Sequence, residues 1–305
     1  MKHRFHIFWI IVIVLVFGYC SSAKAQWRKL IRGSVILYCH DNDIQYGENI
    51  LYIIEENVTR VAEDLGLAAV GEIKIIIASS EQEFNTLTGQ QIPEWGVAAT
   101  DPQMSAIYLK SPYLSRAETD LEKVIVHELS HVIMGMVLEG KSIDRWFDEG
   151  FAQYEAGEQG VRGTILLARS LVTGNIIWLN EVDDVLTFQR QKAALAYQVS
   201  YMAVQYLVDT YGKDMVVNII QSLRDGKEMD EALFLSIGIG FQNFQDNWYA
   251  TMKKKYVYYL FLDFPFLFSL TLLVLFFTAL VVTRRRMVKK RRVWELEESY
   301  DYEGF

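Results

Sequence analysis

Cysteine, proline and histidine are all scarce in this chain of 305 residues, which has two Cys, four Pro and five His. Cys20 lies in an amino-terminal apolar run, so removal of that run leaves Cys39 alone and excludes an intramolecular disulfide. A domain built this way is held together by packing or by a bound ion. The few prolines, and the lack of any Ser- or Gly-rich stretch, leave no flexible linker between folded units. The sequence shows no internal repeat. Positive charge is short as well. Residues 26 to 262 carry 20 Lys plus Arg against 32 Asp plus Glu, a net charge near −12. So acidic a surface argues against broad binding of nucleic acid or anionic lipid. These roughly 235 residues are ample for one sizeable core.

The two ends of the chain indicate a membrane. Lys2 and Arg4 precede an apolar run from Phe8 to Tyr19, followed by Ser22-Ala23-Lys24-Ala25-Gln26. A basic start, a short apolar core and an Ala-x-Ala site make a secretory signal over residues 1–25, with cleavage expected after Ala25. An uncleaved signal anchor is the competing reading, because the run with its flanks is almost long enough to span. Tyr19, where a lipoprotein site has a small residue before its cysteine, argues against lipidation of Cys20. Phe264 to Val282 is a second apolar stretch, 19 residues without a charge, and at 1.5 Å per residue it suffices for a crossing. Arg284, Arg285, Arg286, Lys289, Lys290, Arg291 and Arg292 follow it, which places the carboxyl terminus in the cytoplasm by the positive-inside rule. Tyr256, Tyr258 and Tyr259 suit an interfacial aromatic belt. The expected organisation is a signal (1–25), an extracytoplasmic domain (26–255), a membrane helix with its interfacial flank (256–283) and a cytoplasmic tail (284–305). The acidic end, Glu295 to Phe305, is expected to be disordered.

The chemistry is concentrated in His127-Glu128-Leu129-Ser130-His131 and in Trp146-Phe147-Asp148-Glu149-Gly150-Phe151-Ala152. Leu121, Val124, Ile125, Leu129, Val132, Ile133 and Met136 recur at helical spacing, no Pro interrupts Ala117 to Leu138, and Gly140 supplies a stop. Residues four apart share a helix face, so His127 and His131 can offer two imidazole nitrogens to one metal ion. Two incidental histidines on a buried helix are the competing reading, but burying them without a shared partner is costly. Glu128 stands beside the first His, partly off the ligand face, where a general base can reach water. Catalytic zinc needs a third protein ligand and an open position. The short pattern with a third His fails, since Met134 stands where it needs Gly and Val137 where it needs His. Among Glu139, Asp144, Asp148, Glu149 and Glu155, the third ligand is expected at Glu149, whose helix is buried by Trp146, Phe147, Phe151 and Ala152. Asp148 reads equally as a residue that orients a ligand His and as a simple negative charge at a helix start. These residues point to a hydrolase with one zinc per chain.

His-Glu-Leu-Ser-His with Trp-Phe-Asp-Glu-Gly-Phe-Ala-Gln-Tyr-Glu-Ala resembles the gluzincin zinc metallopeptidases, the superfamily of thermolysin, and most of all the compact bacterial peptidase MA-like proteins. Ala196-Tyr197-Gln198-Val199-Ser200-Tyr201, running on to Gly212, is similar to the helix that follows the site in that family. The resemblance spans roughly Ser34 to Lys255. It implies a zincin-like α+β fold and a peptide or protein substrate. It also implies a transition-state donor at Tyr197, with Tyr201 in reserve. Seventeen residues separate His131 from Glu149, one fewer than in the aminopeptidases of the superfamily, so a tighter connection is expected. No Gly-x-Met-Glu-Asn segment is present to hold a free amino terminus, which favours an endopeptidase over an aminopeptidase. A peptide-binding module that has lost turnover, or a metal site serving only as a staple, would have no use for Glu128.

The coarse pattern gives a mixed α/β amino-terminal half and a helical carboxyl-terminal half. Strands are expected at Val35 to Cys39, Glu72 to Ala78, Gly96 to Ala99 and Ala106 to Leu109, with a helix from Ile44 to Leu65. The resemblance implies that one of the last two strands is an edge that pairs with substrate backbone. Helices follow near Gly163 to Val172, Lys192 to Tyr211, Asp214 to Leu223 and Phe241 to Tyr259.

Overall fold

The computed structural model describes residues 26–89, 92, 96–114, 120–158, 160–256 and 264–302. The signal expected at 1–25, and Tyr258 and Tyr259 of the expected aromatic belt, lie outside them. The described chain is mixed α/β, mostly helical with one small sheet. A hairpin that was not legible in the sequence opens it: β1 (Trp27–Arg32) pairs antiparallel with β2 (Val35–His40) about Gly33, whose φ is +56°. There follow α1 (Ile44–Asp64), β3 (Ile73–Ala78), α2 (Glu81–Leu87), β4 (Ala98–Asp101) and β5 (Ala106–Lys110). The sheet order is β1-β2-β3-β5-β4, with β2, β3 and β5 parallel and the outer strands antiparallel to their neighbours.

Alternation sorts the strand residues between two faces. Leu37, Ile73, Ile75, Ile77, Ile107 and Leu109 enter the main core with Ile50, Ile54 and Val61 of α1, all essentially solvent-free. On the other face Phe84 of α2 packs on Ala78 and Ala99. Of the two strand candidates upstream of the His-containing helix, β5 is interior. β4 is an outer edge with a strand on one side only among the described residues.

The helical half comprises α3 (Leu121–Leu138), α4 (Arg145–Glu155), α5 (Val161–Thr173), a 3-10 segment (Leu179–Thr187), α6 (Arg190–Tyr211), α7 (Asp214–Arg224), α8 (Met229–Ile237) and α9 (Phe241–Tyr256). Asp120 caps α3. Its end is a two-residue left-handed step, Glu139 at φ +51° and then Gly140 at +85°, rather than Gly140 alone. Residues 139–144 then suffice to reach α4, which is the tight connection expected from the short spacing.

Two features fix α4. A Cβ on Gly150 would stand 2.7 Å from the Ser200 carbonyl carbon, so glycine there lets α4 and α6 meet backbone to backbone. At the end of α4, the buried Glu155 pairs with Arg60 of α1 and lies 3.4 Å from Lys213, which itself holds Asp64 at 2.5 Å. Burial and the neighbouring Asp64 raise the Glu155 pKa, and the two cations are what allow a carboxyl group at that depth.

The last helix, α10 (Phe264–Tyr302), holds the one stretch among the described residues long and apolar enough to cross a membrane. That stretch lies within Leu267–Arg292, where an 18-residue window has a mean hydropathy of 2.1 and no part of it is buried. The helix continues past the basic block, so the tail expected to be disordered from Glu295 is instead helical through Tyr302. Glu295, Leu296, Glu297 and Glu298 are good helix formers, and neither Gly nor Pro intervenes before Gly304.

Candidate active site

The α3 helix sets His127 and His131 one turn apart with their Nε2 atoms 3.2 Å from each other and their rings steeply inclined, at 75°. Glu149, the fifth residue of α4 and 8% exposed, brings Oε2 to 3.5 Å from His127 Nε2 and 3.6 Å from His131 Nε2. Three donors around a tetrahedral ion with bonds of about 2.0–2.1 Å stand roughly 3.3–3.4 Å apart. The triangle therefore has the edge lengths that one small ion requires, despite the shortened connection between the helices. The Glu149 side chain is oriented from behind by Arg145, 3.5 Å from Oε1.

The outer imidazole nitrogens are held as well. His131 Nδ1 donates to Asp148 Oδ1 at 2.9 Å. Asp148 lies in the first turn of α4, where its charge also suits the helix dipole, and its contact with His131 adds the orienting role. Glu158 Oε1 lies 3.1 Å from His127 Nδ1, an ion pair whose direction falls short of a hydrogen bond. Protons drawn to the two Nδ1 atoms leave both Nε2 lone pairs facing Glu149 Oε2, the arrangement an ion needs.

Electrostatics point the same way. Arg145 pairs with Glu149, and Glu149, Arg145, Glu128 and Glu158 all act on Tyr197. Burial lowers the His127 pKa, but hydrogen bonding to Glu149 and the Glu158 carboxylate outweigh it and push it up to about 10. The His131 pKa is raised well above the usual histidine value, burial being outweighed by Asp148 and Glu149. The Glu149 pKa falls, because the two imidazoles overcome the effect of burial. A metal held there would bind in competition with protons on the two histidines.

Glu128 is half-buried, and its Oε2 accepts a hydrogen bond from Thr100 Oγ1 on the edge strand β4. Tyr197 of α6 is half-buried; burial and the nearby Glu149 raise its pKa, Arg145 opposes, and the phenol stays a proton donor. Gln153 of α4 donates to the Tyr197 carbonyl at 3.1 Å, tying the two helices at that level. Tyr201 is 6% exposed, and its strongest electrostatic neighbours are Tyr256, Tyr154 and Asp209, none of them in this cluster; burial and these groups push its pKa up to about 12. Thr100, Arg145 and Glu158 were missed in the sequence. A weak signal for Glu158 existed: Gly157 ends α4 at φ +61° and turns the next residue back towards the helix.

Replacing Asp148 by Asn, or Glu158 by Gln, should weaken metal affinity about 10- to 100-fold while leaving roughly one ion per chain at saturation. Competition with a chromophoric chelator measures this. An unchanged affinity in Glu158→Gln removes Glu158 from the set that orients His127.

The profile of the Peptidase MA superfamily matches residues 53–254, which takes in α3, α4 and α6 and leaves the amino-terminal hairpin outside. The match begins later than the resemblance read from Ser34. No curated protein matches the chain. With two thirds of its length inside the match, and with paired histidines and a glutamate at metal-binding separation, the chain belongs to the Peptidase MA superfamily.

Proposed function

We propose that this protein is a membrane-tethered zinc endopeptidase acting outside the cytoplasmic membrane. What carries the reading is the juxtaposition of a three-donor triangle with Glu128, a carboxylate that is no part of the triangle and is held towards the edge strand by Thr100. A structural staple would close the fourth position and need no base. Two imidazoles and one carboxylate, from His127, His131 and Glu149, suit zinc. Zinc held there supplies a Lewis acid that acidifies water and polarises a carbonyl.

The chain's own residues do the rest. Glu128 takes a proton from the attacking water and passes it to the leaving amine nitrogen. Tyr197, kept protonated by its surroundings, donates to the oxyanion that develops on the scissile carbonyl. The outer edge of β4, which carries no further strand among the described residues, receives an extended peptide backbone by strand addition. A chain lying along an open edge enters and leaves on both sides, which suits internal cleavage.

The same proposal places a cleaved signal at 1–25 and the catalytic domain, 26–255, outside the membrane. The span lies within 256–283 and the basic residues from Arg284 lie in the cytoplasm. Tethering favours peptide or protein substrates close to the bilayer. A carboxyl-terminal fusion to a reporter active only in the cytoplasm should be active, and an inactive fusion rejects this orientation.

With the full chain in detergent and a mixed peptide library read by mass spectrometry, Glu128→Gln should retain about one zinc and lose about 10²-fold or more of the cleavage rate. Tyr197→Phe should lose about 10²–10³-fold at unchanged zinc content. Undiminished cleavage by Glu128→Gln rejects the mechanism, and cleavage confined to amino-terminal residues rejects the endopeptidase.

A further inference from the structure

A cavity of about 230 Å³ opens beside the site, with His131 and Asp148 in its lining. Its apolar wall is Met134 and Leu138 from the carboxyl-terminal turns of α3, Pro102 from the β4–β5 turn and Ile143 from the connection between α3 and α4, while Gln103 and Lys141 are the polar part of the lining. Pockets that take a whole small molecule run from about 300 to 1,000 Å³, so this one has the scale of a single side chain. Met134 and Leu138 are each only 2% exposed and sit in the packed core, which makes those walls rigid. Gly135 seals the end. A Cβ there would stand 2.5 Å from Pro102 Cβ, so glycine lets the turn seat directly on the helix.

The contacts of β4 with α3 fix a direction. Thr100 lies against Glu128 and Pro102 against Gly135, so the strand and the helix run the same way. Antiparallel pairing is the more stable per residue. A peptide added antiparallel to β4 therefore has its amino-terminal portion at the Pro102 end, by the cavity, when its scissile carbonyl lies at Glu128.

We infer that this cavity receives a large apolar side chain from a residue on the amino side of the scissile bond, and so sets the cleavage preference; the inference rests on the peptidase reading above. Leucine or phenylalanine meets Met134, Leu138, Ile143 and Pro102. An acidic side chain gains none of this apolar contact and faces Asp148 as well as Lys141.

The test uses the full chain in detergent, with zinc, and two peptide series that differ only by Leu, Ala or Asp at successive positions around the cleaved bond. Wild type should cut the amino-side Leu peptides at least about tenfold faster than their Ala counterparts, with Asp slowest. Ile143→Trp, which fills the cavity from a half-buried loop position, should lower that Leu-over-Ala ratio about tenfold, and Ile143→Ala should lower it severalfold. Binding of the same peptides to the Glu128→Gln protein, read by calorimetry, needs no turnover and should show the same order and the same loss in Ile143→Trp. Cleavage without an amino-side apolar preference, or with one that neither Ile143 variant moves, overturns the cavity assignment and leaves the peptidase reading standing. If nothing is cleaved but Leu peptides bind better than Ala peptides and Ile143→Trp removes the difference, the cavity assignment stands and the peptidase reading falls. Equal binding of Leu and Ala peptides overturns the cavity assignment whatever is cleaved.

Discussion

Everything at this site depends on how Glu149 meets two imidazoles across a helix junction. Its Oε2 lies 3.5 and 3.6 Å from two Nε2 atoms that are themselves 3.2 Å apart, at a depth where an unpaired charge is expensive. Without an ion the only relief is protonation of the histidines, and the raised pKa of both records that tension. A divalent cation relieves it directly, and the protons leave as it enters. Loss of any one of the three donors would leave the other two burying charge or lone pairs without compensation, so the triangle behaves as a unit.

The surrounding fold is arranged to hold the two helices that carry these donors. Helix α3 is locked against the sheet and α1 by Ile125, Leu129, Val132 and Ile133. Helix α4 is fixed at three levels: Gly150 against the Ser200 backbone, Gln153 to the Tyr197 carbonyl, and Glu155 in its cluster with Arg60 and Lys213. The same contacts that bring Glu149 to the histidines bring Tyr197 to the edge of the site, because the Tyr lies one turn before Ser200 on α6. The third wall is β4, tied to Glu128 through Thr100. The proposed metal ligands, base and donor thus come from three helices, and β4 is the strand edge beside them.

Much of this was legible in the sequence because it rests on local periodicity. The four-residue spacing of His127 and His131 sits on a long apolar helical pattern, and the aromatic flank of Glu149 marked it as buried. The dense Ile73 to Ile77 run and the long patterns of α1, α6 and α9 are likewise local. What escaped depends on contacts between distant segments. Trp27–Arg32 is a mostly exposed edge strand with little apolar alternation, and it becomes a strand because β2 pairs with it. Glu81–Leu87 buries only Phe84 and is too short for a period to show. Thr100 and Arg145 carry no such local signal and Glu158 only the weak one of Gly157, because their places arise only when α4, β4 and α3 converge. The choice between the two strand candidates for the edge needed the sheet order itself. Glu295 to Tyr302, expected to be disordered, is helical because helix propensity outweighs acidic composition there.

The central claim is an open three-ligand zinc site, and X-ray absorption at the zinc edge tests it most directly on the purified full-length protein. The account predicts stoichiometric zinc with nitrogen and oxygen neighbours at about 2.0–2.1 Å, the multiple-scattering signature of two imidazoles, and loss of that signature in His131→Ala. Zinc absent under saturating conditions, or zinc with a sulfur neighbour or a shell filled entirely by protein ligands, would contradict it.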